Sequence, residues 1–255
     1  MNAWFLLPVA ALLFGVLALA LLGAQVLARG VVFIDLAVAQ AAAAAALWVG
    51  AFVDHPDWFT TQVLAVAGAL ACAGAVALLS RRWPGQREAL IGLLYVLGAS
   101  VALLGARQDP HGRERLAELL AADVLWAQWP QVAALASCAA GVLLLGPRLA
   151  RDGVFFPVFA VVASLAVPVL GLFLVFATLI APALWQSAGV PRAVAWAIAI
   201  VACAAGLAAS WAFDAPSGAC VALALSACGA LSALRGGLAR VDDQTLDPPQ
   251  HEQKR

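Results

Sequence analysis

The sequence predicts an all-α, polytopic membrane bundle of eight or nine transmembrane helices joined by short loops, and three observations predict it. Eight windows free of Asp, Glu, Lys and Arg divide up most of the chain: 1–28, 36–53, 58–80, 89–106, 124–147, 153–191, 193–213 and 215–234. A hydrocarbon core of about 30 Å takes roughly 20 apolar residues per helix, so nearly every window is one span long. The composition agrees, with 65% hydrophobic and 11% charged residues and a mean hydropathy of +0.98, where an ordinary soluble domain carries about 25% charged residues. Finally, the basic residues fall into alternate loops, as they do when successive helices cross a bilayer.

Taken in order, the first window opens on Met1-Asn2-Ala3-Trp4 without a basic leader region, so it is expected to be retained as a span rather than cleaved. The second contains Ala41 to Ala46, a run of small residues that reads as a helix-packing face. The third and fourth, 58–80 and 89–106, are plain spans. Between the fourth and fifth lies the one sizeable polar insertion, Arg107 to Trp126, where Leu116, Leu119, Leu120 and Asp123 to Trp126 predict a short amphipathic helix along the outer interface. The window 153–191 would be nearly twice the membrane thickness as one helix and contains Pro157, Pro168, Gly171 and Pro182. It is read as two short helices broken near Pro168. The last two windows are single spans. Residues 1–240 are therefore one transmembrane domain, followed by a disordered cytoplasmic tail over 241–255.

Nine spans place Arg29, Arg81, Arg82, Arg87, Arg148, Arg151, Arg192, Arg235, Arg240, Lys254 and Arg255 on one face, eleven of the fourteen basic residues. The other face holds Arg107, Arg113 and Arg115 against Asp54, Asp57, Asp109, Glu114, Glu118, Asp123 and Asp214. Because Lys and Arg concentrate in cytoplasmic loops, the N-terminus is expected outside and the C-terminus inside a bacterial inner membrane. Tryptophans near the boundaries (Trp4, Trp58, Trp83, Trp126, Trp129, Trp185) read as an interfacial belt. The five cysteines all lie inside spans, without a C-x-x-C, and read as small core hydrophobes.

An ionisable group within the hydrocarbon is costly and is by default a functional candidate. Asp35 is the one carboxylate that qualifies, equally readable as an interfacial group and as part of a pathway. Gln40, five residues on and about 140° around the helix, reads as interhelical glue or a second path residue. At the outer mouth Asp54, His55 and Asp57 form a possible cation-collecting rim, although a solvated turn has the same composition; His111 beside Asp109 is an ordinary loop histidine.

Four segments in one order carry a resemblance: Arg29 to Ala37; Asp109-Pro110-His111-Gly112 with Glu118 to Leu120 and Val124 to Trp126; Gly171 to Ala183; and Asp214 to Ala219. Over residues 23–234 the chain resembles the permease subunits of bacterial zinc/manganese/iron(II) ABC transporters. That resemblance implies a homodimer coupled to a cytoplasmic ATPase subunit and supplied by a periplasmic metal-binding protein. It implies import of a divalent transition metal with Asp35 on its route, no cofactor on this chain, ATP bound on the partner subunit, and no nucleic-acid partner. Two positions depart from the pattern. Much of the family has a metal-carrying His four positions after the acidic residue, where this chain has Ala39. The loop from Gly146 to Gly153 is also shorter than the cytoplasmic segment that docks on the ATPase, which leaves Arg81, Arg82 and Arg87 in the Ser80 to Arg87 segment, with Arg148 and Arg151, as the expected coupling residues, and Gln186 to Arg192 as the alternative.

An intramembrane enzyme is disfavoured: there is no H-E-x-x-H, no G-x-S-x-G, and no embedded acid and base pair. The remaining alternatives are an ATP-independent ion carrier or a non-transporting membrane subunit.

Overall fold

The computed structural model describes residues 6–52, 57–108, 112–120 and 122–246. Among these residues there are ten α-helices and no strand: α1 Leu6–Arg29, α2 Ile34–Phe52, α3 Trp58–Arg82, α4 Arg87–Ala106, α5 Gly112–Leu120, α6 Trp129–Leu145, α7 Asp152–Leu170, α8 Leu172–Ser187, α9 Arg192–Phe213 and α10 Ser217–Leu246. Short 3₁₀ segments cover Pro84–Gln86, Val124–Trp126 and Gly146–Ala150. Nine of these helices are the apolar ones that the charge-free windows define, and α5 is a nine-residue extra. Six of them (α1, α3, α4, α6, α7 and α9) are long and apolar enough to cross a bilayer, and α2, α8 and α10 contribute shorter apolar stretches. The chain is a polytopic helical bundle. The backbone of α10 continues to Leu246, past the Val241 at which the tail was expected to begin; residues 247–255 lie outside the described residues.

The helix α1 is the axis of the bundle. It packs on α6 and α8, and more lightly on α7 and α9, so residues all around it, such as Val16, Leu19, Leu22 and Val26, are buried. On one side α2 is held between α3 and α4; on the other α10 lies against α8 and α9; α3 on α7 joins the halves. In lipid, apolar helices gain little from burying apolar area against one another, so close approach through small residues has to supply the packing. The Ala41 to Ala46 run does this: the Ala41 carbonyl lies where a Cβ on Gly68 of α3 would be 2.7 Å away, and Ala42, Ala43 and Ala44 are buried. A Cβ on Gly23 of α1 would collide with the Leu179 carbonyl of α8, so those two backbones touch. The cysteines are free thiols, Cys72 and Cys203 buried and Cys138, Cys220 and Cys228 half-buried, as core packing requires.

The 39-residue window does split, at Gly171 rather than at Pro168. Gly171 has φ 78° and ψ 153°, a conformation that a side chain would strain. Pro168 stays within α7 because the carbonyl it cannot serve, that of Ser164, accepts a hydrogen bond from Gln62 Nε2 of α3 at 3.3 Å. The break is sunk into the bundle: Leu170 faces Gly15, nine residues or about 13 Å along α1. The 16 residues of α8 then reach only about 24 Å, which suffices to return from that depth.

Two ends of the bundle follow. One gathers Arg29, Arg81, Arg82, Arg87, Arg148, Arg151 and Arg192; the other gathers Asp57, Asp123 and Asp214. At the acidic end the single amphipathic helix predicted across Leu116 to Trp126 is instead two pieces, α5 and the Val124–Trp126 turn. Asp123 causes the break. Its Oδ1 accepts from Leu125 N–H at 3.2 Å and from the hydroxyl of Ser217, pinning the turn onto α10 and burying Val124. Trp126 and Trp129 remain 80% and 71% exposed, as belt residues should. Trp185 does not belong with them, since its Nε1 donates to the Cys228 carbonyl at 3.1 Å and ties α8 to α10. Trp4 lies outside the described residues.

Candidate functional site

Asp35 occupies the first turn of α2, at the arginine-rich end, one residue after the helix begins. It is 1% exposed, and neither carboxylate oxygen has a hydrogen-bond partner among the described residues. Burying a carboxylate without a partner is unfavourable by several kcal/mol on the scale of ordinary polar burial, and such groups are rare in folded proteins. Its main support is the helix N-terminus, with the first-turn N–H groups of Asp35 and Leu36 beside it.

Gln40 is also buried, a turn and a half deeper, where α4 approaches through Gly98: a Cβ there would lie 3.1 Å from Gln40 Cβ. At about 140° from Asp35 around α2, Gln40 does not share its face. Ala39 is buried and offers no ligand. No set of three or more His, Cys, Asp and Glu side chains among the described residues is grouped to hold a metal ion. A lone carboxylate suits passage of a cation better than tight storage, for which zinc takes four ligands.

The rim expected at Asp54, His55 and Asp57 is only partly described. Asp54 and His55 lie outside the described residues, as does His111. Asp57 stands at the N-cap position of α3 in extended conformation, without a side-chain cap bond to the helix backbone; the Thr60 hydroxyl donates to Asp57 Oδ1, and Thr61 Oγ1 donates to the Asp57 carbonyl at 3.1 Å. The Thr60 hydroxyl holds the Asp57 carboxyl below the usual carboxylate range. Elsewhere at that end a cavity of about 710 Å³ is lined by Asp123, Leu207, Ser210, Trp211 and Asp214. Asp214 turns the chain with φ 48°, and Ser210 Oγ donates to the Ala215 carbonyl at 2.7 Å. Sequence reasoning counted both carboxylates as loop charge and missed the cavity, because nothing in their spacing brings 123 to 214.

At the arginine-rich end Arg81, Arg82, Arg148 and Arg151 are exposed around the Gly146–Ala150 segment, with Trp83 beside them half exposed. Arg87 differs. It lies against the α1–α2 turn, its guanidinium 3.3 Å from where a Cβ on Gly30 would sit, while its neighbour Glu88 accepts from Val32 N–H at 2.7 Å through Oε1. The tightest polar cluster here centres on Arg29, which the sequence offered as an orientation marker and as the start of the Arg29 to Ala37 segment. Its Nε donates to Asp152 Oδ1 at 3.0 Å, Nη1 to the Gln25 carbonyl and Oε1, and Nη2 to the carbonyls of Leu149 and Ala150 at 2.9 and 2.8 Å. The guanidinium lies 4.2 Å above the Phe155 ring. Arg81 Nη2 approaches the other oxygen of Asp152 at 3.6 Å. An arginine ending a span just before a glycine was the available signal.

Comparison with known proteins places this geometry. Residues 147–235, from the short 3₁₀ segment through α7, the Gly171 break, α8, α9 and most of the apolar part of α10, match the model of the ABC 3 transport family. The fold as a whole is similar to PsaBC from Streptococcus pneumoniae, solved in complex with Fab, with a TM-score of 0.69 and 16% identity over 91% of each chain. At that identity the likeness is one of fold. No curated protein sequence matches. The ABC-transporter resemblance read from the sequence thus agrees with the family match over residues 147–235, and the likeness across the rest of the bundle is one of fold.

Proposed function

We propose that the chain is the membrane-spanning subunit of an ABC transporter that moves a divalent transition metal, zinc, manganese or iron(II), inward across the bacterial inner membrane. The observation that carries the reading is Asp35: a carboxylate buried beside a helix start, unpaired, at the bundle end opposite the acidic surface. A cation descending from the acidic end would be attracted there by charge and released without a multi-ligand trap. The acidic end, with Asp57, the Asp123 and Asp214 cavity and the segment bearing Asp54 and His55, is then the outer mouth, fed by a periplasmic metal-binding protein. The exposed Arg81, Arg82, Arg148 and Arg151, with Arg87 behind them, form the face that meets a cytoplasmic ATPase subunit, which would bind the ATP; the chain itself would pair as a homodimer.

The test has two arms. Co-expression with ABC ATPase subunits from the same genome, followed by detergent purification, should recover one of them together with the chain; recovery of the folded chain alone, in every preparation, would contradict the reading. Asp35→Asn should lower metal accumulation in cells lacking their own high-affinity uptake at least about tenfold, because an amide cannot give up a proton to become the anion that a cation would meet, while membrane protein level stays the same or rises, because a buried carboxyl without a partner has been replaced by a neutral amide. Unchanged accumulation would make Asp35 a structural carboxylate.

A further inference from the structure

We propose that Arg29 is a positioning residue that transmits movement of the 146–151 segment to the start of α2, with Asp152 as its acidic counterpart. The inference rests on the permease reading above and adds a coupling route to it. A short docking segment gives an ATPase little surface to move, so what the segment is fastened to decides where its motion goes. It is fastened to Arg29. The five N–H donors of that guanidinium are matched by five acceptors on three parts of the chain: Gln25 in the last turns of α1, the backbone of Leu149 and Ala150, and the first residue of α7. Both acceptors on the 146–151 segment are main-chain carbonyls, so the contact follows the segment's backbone and not a flexible side chain.

On its other side Arg29 leads into a stiff connection. Gly30 reverses the chain at φ 59°, and its N–H bonds to the Leu27 carbonyl at 3.0 Å. Val31 N–H bonds to the Val26 carbonyl, Val32 N–H to Glu88, and Ile34 N–H to the Val31 carbonyl. The next residue is Asp35. Five residues with few free amides therefore separate Arg29 from the buried carboxylate, and a displacement of Leu149 and Ala150 has no slack to absorb it before the first turn of α2. Through Arg81 the same Asp152 carboxylate also reaches the end of α3.

A brace that only held the fold would make the same contacts, so the test reads coupling and not stability. The purified complex of full chain and ATPase is reconstituted in liposomes, with Mn²⁺ and Zn²⁺ as parallel probes, and metal moved per ATP hydrolysed is compared across wild type, Asp152→Asn and Arg29→Lys. Asp152→Asn keeps the shape of the acceptor; Arg29→Lys keeps the charge but loses the fork. The ratio should fall about tenfold in both, in the 5–150-fold range of typical coupling energies, with ATP hydrolysis within about twofold of wild type. A wild-type ratio in both variants overturns the proposal. Failure of both variants to reach the membrane folded and bound to the ATPase also overturns it, since Arg29 would then be a brace. If the wild-type chain binds no ATPase, the permease reading falls and takes this inference with it.

Discussion

The contact between α1 and α8 gives a sharp test of the packing. A methyl group on Gly23 would stand 2.7 Å from the Leu179 carbonyl carbon and 3.0 Å from Leu179 Cα, and nearer still to the oxygen, where carbon atoms ordinarily rest about 3.5–4.0 Å apart. All three atoms are backbone, so no rotamer change relieves them and the helices must separate by roughly 1 Å. A gap of that size forfeits a quarter to a half of each neighbouring contact, and overpacking of this kind costs about 1–3 kcal/mol; the collision with main chain places Gly23→Ala near the top of that range. Alanine returns up to about 1 kcal/mol as a better helix former than glycine. The net expectation is a loss of about 2 kcal/mol. Gly74 in α3 is the internal control, since nothing lies within 4 Å of a Cβ there; Gly74→Ala collects the helix preference alone and should be neutral or stabilising. Thermal unfolding in detergent, followed with a thiol-reactive dye that reports exposure of Cys72 and Cys203, would measure both. If Gly23→Ala unfolds at or above the temperature of Gly74→Ala, the close α1–α8 approach is wrong.

Gly171→Ala should destabilise by about 1–3 kcal/mol in the same assay, because φ 78° with ψ 153° admits essentially only glycine; an unchanged transition would mean that α7 and α8 are not broken there. Ala39→His places an imidazole one helical turn from Asp35 and should raise retention of metal by the purified chain, measured by equilibrium dialysis; unchanged retention would show that the two positions do not share a metal. Reporter fusions at Arg82, Arg151 and Arg240 should read cytoplasmic and those at Asp57 and Gly112 external; a cytoplasmic reading at Gly112 would invert the orientation proposed from the arginine distribution.

Much of the architecture was legible because a bilayer is an exacting solvent. Charge-free runs of one membrane thickness became helices, and the overlong run had to break. The break was located only approximately, because sequence shows that Pro168 lacks a donor but not that Gln62, a hundred residues away, takes up the Ser164 carbonyl. Similarly, the leucine pattern of the polar insertion runs on past Leu120, and only the contact of Asp123 with Ser217 interrupts it. Asp35 was visible as an embedded carboxylate, yet its burial without a partner depends on how three helices meet. The Arg29 cluster draws on residues 25, 29, 81, 149, 150 and 152, a convergence no local periodicity encodes.

The claim at the centre of this account is that a metal cation passes through this bundle at the cost of ATP hydrolysed on a partner. Liposomes holding the chain with its ATPase, a metal-sensitive dye inside and the metal-loaded binding protein on the face bearing Asp57 and Asp123, measure it directly. Metal-dye signal should rise only when ATP is supplied on the arginine-rich face, and should be lost in Asp35→Asn. Flux that proceeds without ATP, or its persistence in Asp35→Asn, would contradict the account.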